Sequence, residues 1–189
     1  MDVNDLKGLY AEANKRMNAG VEHVRHELAG VRTGRASVAI LDPVHVEAYG
    51  SRMPLNQLAG LSVPEPTLIV AQPFDPSQLG AIEKAIRASD LGLNPSNDGK
   101  VVRIPIPPLT DERRKELSRH VHKLSEEGRN VLRQVRRDAN DRLKKLLKDH
   151  KISEDDEKKG LDEVQKLTDQ HVKQIDELQK KKDTELLGK

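Results

Sequence analysis

All ten prolines of this 189-residue chain lie between Pro43 and Pro108, leaving a proline-free arm on either side. Proline lacks a backbone donor and its ring clashes with the preceding helical turn, so long uninterrupted helices can form only in the arms. One arm precedes the proline-rich middle and a longer one follows it. The middle is therefore expected to be inserted into a helical body, and the chain then crosses twice between two bodies. Two short crossings allow the mutual angle of the bodies to change, which is a mechanical property.

The apolar spacing in the arms agrees with this division. Leu6, Leu9, Ala13, Met17, Val21, Val24, Leu28 and Val31 recur at steps of three and four, predicting an amphipathic helix of about 28 residues, roughly 42 Å long. After Pro107 and Pro108, Thr110 is a candidate N-cap, with Asp111 and Glu112 suited to a first turn. The seam that follows reads Leu117, Val121, Leu124, Gly128, Val131, Val135, Ala139, Leu143, Leu146, and closes near Lys144, Lys145 and Lys148. A third helix is expected from Ser153, with Asp156 placed for a capping box, and its seam reads Leu161, Val164, Leu167, His171 or Val172, Ile175, Leu178, Leu186. Each stripe is too narrow to be stable alone. An antiparallel three-helix bundle buries all three, and an intermolecular coiled coil would show the same periodicity. The short turn around Asp149 to Ile152 favours the bundle, and with it a monomer, because a hairpin already brings two seams together.

Between the arms the period changes. Val44, Val46 and Ala48 alternate, and Leu68-Ile69-Val70 and Val101-Val102 with Ile104 read as short strands. Asp75-Pro76 followed by Leu79, Ile82, Ala85 and Ile86 predicts a helix with proline at its first position, closing near Gly92. The fold class is thus α+β. A bundle of residues 1–30 and 106–189 is expected to carry an inserted β/α/β domain of residues 31–105, with hinges at Gly30, Val31 and Gly34 on one crossing and Pro105, Pro107 and Pro108 on the other.

Composition narrows the function. Cysteine is absent, which excludes disulfides, a thiol nucleophile and a cysteine metal site. No apolar run is long enough to span a bilayer and the N-terminus has no apolar signal region, so a cytoplasmic protein without membrane association is expected. Asn94 to Lys100 has the wrong spacing for a phosphate loop and reads as a turn between helix and strand. His23 and His26 share a helix side, yet no further ligand completes a metal set. No nucleophile–base pair, dinucleotide turn or isolated carboxylate pair stands out, so neither a catalytic constellation, a metal nor a cofactor is expected.

The charge distribution is uneven. The formal total is +2, but residues 111–151 carry +6 and residues 152–189 carry −3. Within the basic arm Arg129, Arg133 and Arg136 fall at i, i+4, i+7 with Arg137 beside them, off the apolar seam, and are expected to share an outward stripe. Such a stripe is either a solvated helix face laced with ion pairs or a phosphate-binding surface, and the planar guanidinium suits phosphate better than lysine does. The aromatic content is 2%, namely Tyr10, Tyr49 and Phe74, too little for a surface that stacks single-stranded bases. Structured RNA, met by shape and backbone, is the better match. Arg32 and Arg35 at the first crossing, with Arg113 and Arg114 after the second, form a further basic group.

Five motifs carry a family resemblance: Arg32-Thr-Gly-Arg-Ala-Ser37, Ser89-Asp-Leu-Gly-Leu-Asn-Pro95, Pro107-Pro-Leu-Thr-Asp-Glu-Arg-Arg-Lys115, Val135-Arg-Arg-Asp-Ala-Asn-Asp141 and Ile152-Ser-Glu-Asp-Asp156. In this order and over nearly the whole length, the chain resembles the bacterial ribosome recycling factors. It departs from their pattern at Val38, where proline is common, and at Gly128, where alanine is usual. The resemblance implies an L-shaped, hinged molecule without enzymatic activity that binds the post-termination ribosome between its subunits, with the bundle on large-subunit ribosomal RNA. Elongation factor G, using GTP, is then expected to push the small domain so that the subunits separate. By motif match the resemblance implies ribosome contacts at Arg32, Arg35, Arg129, Arg133 and Arg136, and extends them to Arg113, Arg114 and Arg137. A structural or chaperone-like helical protein that binds protein partners is the alternative.

Overall fold

The computed structural model describes residues 3–187. Along the chain run α1 (Leu6–Ala29), β1 (His45–Ala48), β2 (Ser51–Pro54), β3 (Ala59–Glu65), β4 (Leu68–Pro73), α2 (Leu79–Ala88), β5 (Ser96–Asn97), β6 (Val102–Pro105), α3 (Asp111–Lys148) and α4 (Glu154–Leu187). They form two compact units, one made of Met1–Thr33 with Asp111–Lys189 and the other of Gly34–Thr110.

The first unit is a three-helix bundle. The side chain of Asp5 caps α1 by accepting from the Gly8 N–H at 2.6 Å. The helix stops at Ala29, with Gly30 as its C-cap, so it is shorter than the apolar spacing suggests; Val31 is still buried, but outside the helix. At 1.5 Å per residue the 38 residues of α3 extend about 57 Å. Its end is a Schellman turn, in which His150 takes a φ of 57° while the His150 and Lys151 N–H groups return to Leu147 and Leu146. Ser153 and Asp156 then start α4 with a reciprocal capping box. The Asp156 N–H donates to Ser153 Oγ at 3.1 Å, and the Asp156 carboxylate accepts from both the Ser153 N–H and its hydroxyl.

Contacts along the helices set their directions. Arg142 meets Val3 while Gly128 faces Val24, so α1 and α3 are antiparallel. Ser118 meets Asp183 while Gly160 faces Leu143, so α3 and α4 are antiparallel as well. The core consists of Leu9, Ala13, Met17, Val21, Val24 and Leu28 from α1, Val121, Leu132, Val135, Ala139, Leu143 and Leu146 from α3, and Val164, Ile175 and Leu186 from α4.

On α3 the seam differs from the sequence expectation by one residue. Leu132 is fully buried, whereas Val131 is 47% exposed. Both steps fit a 3.6-residue period. The centre line of the buried α3 residues runs close to Leu132 and leaves Val131 at the edge of the seam, about 80° away. Leu117, Leu124, Leu161, Leu167 and Leu178 flank the core half-buried, and small or polar residues take central places: Ser125 and Gly128 on α3, Gly160, Thr168 and His171 on α4.

The second unit holds a four-stranded antiparallel sheet in the order β3-β4-β6-β5 and a separate β1–β2 hairpin. Ile82 and Ile86 of α2 share its core with Val44, Val46, Leu55, Ile69, Ala71, Val102 and Ile104. Proline does start the helical region, as a short 3-10 turn at Pro76–Gln78 ahead of α2, with Asp75 accepting from the Ser77 N–H. The helix closes at Ala88, before Gly92. Strands β2, β3 and β5 escape the periodicity argument. β3 contains Gly60 and Pro64, which normally argue against a strand; it is an edge strand whose register shifts between Ser62 and Glu65, where proline is tolerated. The segment expected to be only a turn before β6 contains β5 and pairs with β6 through a tight hairpin at Asp98-Gly99.

Pro105 ends β6, and the Ile106 N–H donates to Thr67 O at 2.7 Å with its side chain in this unit's core. Residues 106–110 thus go with the insert instead of the bundle, and the crossings fall at Thr33/Gly34 and Thr110/Asp111. Gly34 has a φ of 75°, and a Cβ there would lie 3.0 Å from Leu109 Cγ.

Candidate nucleic-acid interface

The α3 arginines do not form one uniform outward stripe. At about 100° per residue, Arg136 and Arg129 lie only about 60–80° from the centre line of the buried seam, Arg133 about 120° and Arg137 about 160°. The structure follows this gradient. Arg129 is nearly covered, with its side chain 16% exposed, because it leans over the seam's edge onto α4. Its Nε donates to Asp176 Oδ1 at 2.9 Å, its Nη2 to Gln179 Oε1 at 2.6 Å, and its Nη1 to Glu126 Oε2 at 2.9 Å. Arg136 reaches Gln165 of α4 at 3.2 Å. Arg133 is 43% exposed and donates to Glu126 Oε1 at 2.7 Å and to Asn130 Oδ1 at 2.9 Å. Arg137 faces solvent and has no hydrogen bond or ion pair among the described residues.

One carboxylate joins two of these arginines. Hydrogen bonds from Arg133 first, and then from Arg129, hold the Glu126 carboxyl below its ordinary range. The remaining basic candidates are distributed between the units. Arg32 is exposed at the end of the first bundle segment and Arg35 is exposed in the insert. In the first turn of α3, Arg113 pairs with Glu116 at 2.8 Å, while Arg114 is half-buried, with its Nε enclosed and unpartnered among the described residues.

Below the arginines the bundle interior is polar in places. His171 is 3% exposed and spans two partners: its Nδ1 lies 2.6 Å from Leu167 O and its Nε2 lies 2.8 Å from Asn18 Oδ1. This ties α4 to α1 and leaves His171 no free valence for chemistry. Among the described residues no group of three or more His, Cys, Asp or Glu side chains is arranged to hold a metal ion.

The two aromatics of the insert are both on the surface, Tyr49 67% and Phe74 70% exposed. Tyr49 and Gly50 form the two-residue β1–β2 turn with φ of 53° and 75°, and the Tyr49 hydroxyl donates to Asp75 at 2.5 Å. That bond comes first among the causes holding the Asp75 carboxyl below its ordinary range. Composition could reveal how few aromatics there are, but not that a turn and a strand end would present two of them outward.

Fold and surface together define the class: an α-helical rod with a basic helix face, carrying an inserted α+β unit on two crossings. Comparison with known proteins specifies it further. The profile of the ribosome recycling factor family matches residues 24–187. The ribosome-recycling factor of Rubrobacter xylanophilus is 52% identical over 158 residues, covering 84% of this chain and 83% of that protein. That of Chloroflexus aurantiacus is 55% identical over 155 residues, covering 82% and 84%. A solution structure of the ribosome recycling factor superposes with a TM-score of 0.75 at 44% identity, covering 99% of this chain and all of the other. A chain from models of the T. thermophilus ribosome recycling factor and the E. coli elongation factor G bound to the E. coli post-termination complex gives 0.63 at 51% identity, covering 97% and 99%. The chain belongs to the ribosome recycling factor family, whose members are translation factors and not enzymes.

Proposed function

We propose that this protein recycles ribosomes after termination, binding the post-termination ribosome in the intersubunit space and, with elongation factor G and GTP, separating the subunits and releasing the messenger RNA. The observation that carries this reading is family membership over most of the chain, together with an arginine series on the one markedly basic helix. The rod's grip is electrostatic: Arg133, Arg136 and Arg137, with Arg129 at the α4 edge, meet phosphates of large-subunit RNA, and Arg32, Arg35, Arg113 and Arg114 extend the basic surface. The insert acts as a lever, with Gly30, Val31 and Gly34 on one crossing and Pro105, Pro107 and Pro108 around the other absorbing its motion. The work comes from the partner's nucleotide cycle, since a binding protein can shift an equilibrium only through differential affinity.

The protein is proposed to act in the cytoplasm as a monomer. No helix among the described residues is long and apolar enough to cross a membrane. The bundle buries its three seams against one another, which removes the need for a second chain to cover them. A chaperone-like helical adaptor would instead need an unpartnered apolar helix face.

The test is co-sedimentation with large ribosomal subunits over a salt series. Arg133→Ala should weaken binding and reduce the slope of log affinity against log salt by about one unit. Unchanged affinity and slope would refute the assignment of this helix face.

A further inference from the structure

Glu126 is the one acidic side chain on α3 that joins two of the arginines proposed to hold RNA. Each of its oxygens serves a different guanidinium: Oε1 accepts from Arg133 Nη1 at 2.7 Å and Oε2 from Arg129 Nη1 at 2.9 Å. Two donors converging on the two oxygens of a single anion is also the arrangement that would receive the two non-bridging oxygens of one phosphate. The seat is asymmetrically built. Arg129 is secured from the far side by Asp176 and Gln179, so it stays in place if the carboxylate leaves. Among the described residues Arg133 has only Asn130 as a further partner, and it is 43% exposed, so it can turn outward. Glu126 is itself half exposed, and a surface ion pair of this kind is weak enough for a polyanion to displace.

We infer that Glu126 is a resident counter-ion occupying the seat of one RNA phosphate between Arg129 and Arg133, and that it is exchanged for that phosphate on binding. The inference rests on the proposed RNA-binding role of these arginines and adds a function to an acidic residue. Its carboxylate keeps two guanidiniums oriented in the free protein and opposes the incoming polyanion. Glu126 thereby moderates the grip of a factor that must leave the ribosome after each use.

The experiment compares Glu126→Gln with Glu127→Gln, since Glu127 is exposed and loses the same charge without serving either arginine. Affinity for poly-uridylate and for large ribosomal subunits is measured over a salt series, with a thermal melt confirming that each variant folds. Glu126→Gln should bind both probes several-fold tighter with a salt slope steeper by up to about one unit, and Glu127→Gln should change both less. In an Arg133→Ala background the gain from Glu126→Gln should disappear. Weaker or unchanged binding by Glu126→Gln, a gain equal to that of Glu127→Gln, or a gain that survives Arg133→Ala would each overturn the inference. The reading of the arginine face is judged separately by Arg133→Ala alone on large subunits. Poly-uridylate still reports on the anion seat if that reading fails.

Discussion

Gly128 is the most closely approached glycine among the described residues, and replacing it with alanine is the sharpest test of how the rod is packed. A Cβ at this position would lie 2.2 Å from Val24 Cγ2 and 3.1 Å from Ile175 Cδ1. Carbon atoms rest about 3.5–4.0 Å apart, so α1 and α3 must separate by more than about 1 Å, or Val24 must leave its rotamer. Neither is easy, because Val24 is only 2% exposed and a β-branched side chain in a helix has one strongly preferred rotamer. Overpacking of this kind costs about 2 kcal/mol, and the better helix propensity of alanine returns about 1 kcal/mol. Gly128→Ala should therefore destabilise the bundle by about 1 kcal/mol and lower its melting temperature by about 2–4 °C. Gly20→Ala is the internal control: its Cβ would meet Val131 at 3.4 Å, an ordinary contact, so the propensity gain should prevail and stabilise by up to about 1 kcal/mol. Urea unfolding followed by far-ultraviolet circular dichroism measures both. In a double-mutant cycle, Val24→Ala should relieve the clash and show a favourable coupling with Gly128→Ala of about 1–2 kcal/mol. Equal stabilisation by both alanines, or strict additivity with Val24→Ala, would refute the close approach at Gly128.

Three further outcomes follow from the same structure. Leu132→Ala should cost about 3 kcal/mol in urea unfolding and Val131→Ala no more than about 0.5 kcal/mol, reversing the order that spacing alone suggests. Bonds from the Val101 and Lys100 N–H groups, with Arg103 nearby, lower the Asp98 carboxyl to about 2, so its support of the β5–β6 hairpin is complete above the ordinary value near 3.8 and is lost as pH falls through about 2; an NMR titration of this side chain should give that midpoint, and an ordinary one would count against the turn geometry. Because the chain has no cysteine, one introduced in each unit allows a defined bifunctional cross-link, which should spare ribosome binding and abolish subunit splitting with elongation factor G; splitting by the locked protein would dismiss the lever.

Reading the chain residue by residue works best where the governing interactions are local. The capping box at Ser153 and Asp156 and the proline start of the α2 region are settled within a few residues, and both are present in the structure. The candidate interface was legible only in part. That arginines cluster beside the α3 seam is a matter of helical period, but how far each leans toward α4 depends on Asp176, Gln179 and Gln165, which lie 29 to 50 positions away. The sequence allows ion pairs along this helix face, but nothing in the spacing says that one carboxylate, Glu126, will join two arginines.

The amino-acid order by itself determined where helices could exist, where they had to start, that the proline-rich segment folds separately, and which family the chain resembles. Those properties follow from backbone sterics, caps and a 3.6-residue period, all of which act over a turn or two. Only the tertiary structure decided that Leu132 and not Val131 enters the core, that Gly128 and Gly160 let neighbouring helices close in, that β3 forms despite Pro64, and that Tyr49 and Phe74 face outward. Each of those depends on which surfaces come to face one another. A helix seam about 100° wide leaves several registers equally good until a neighbour with its own shape selects one.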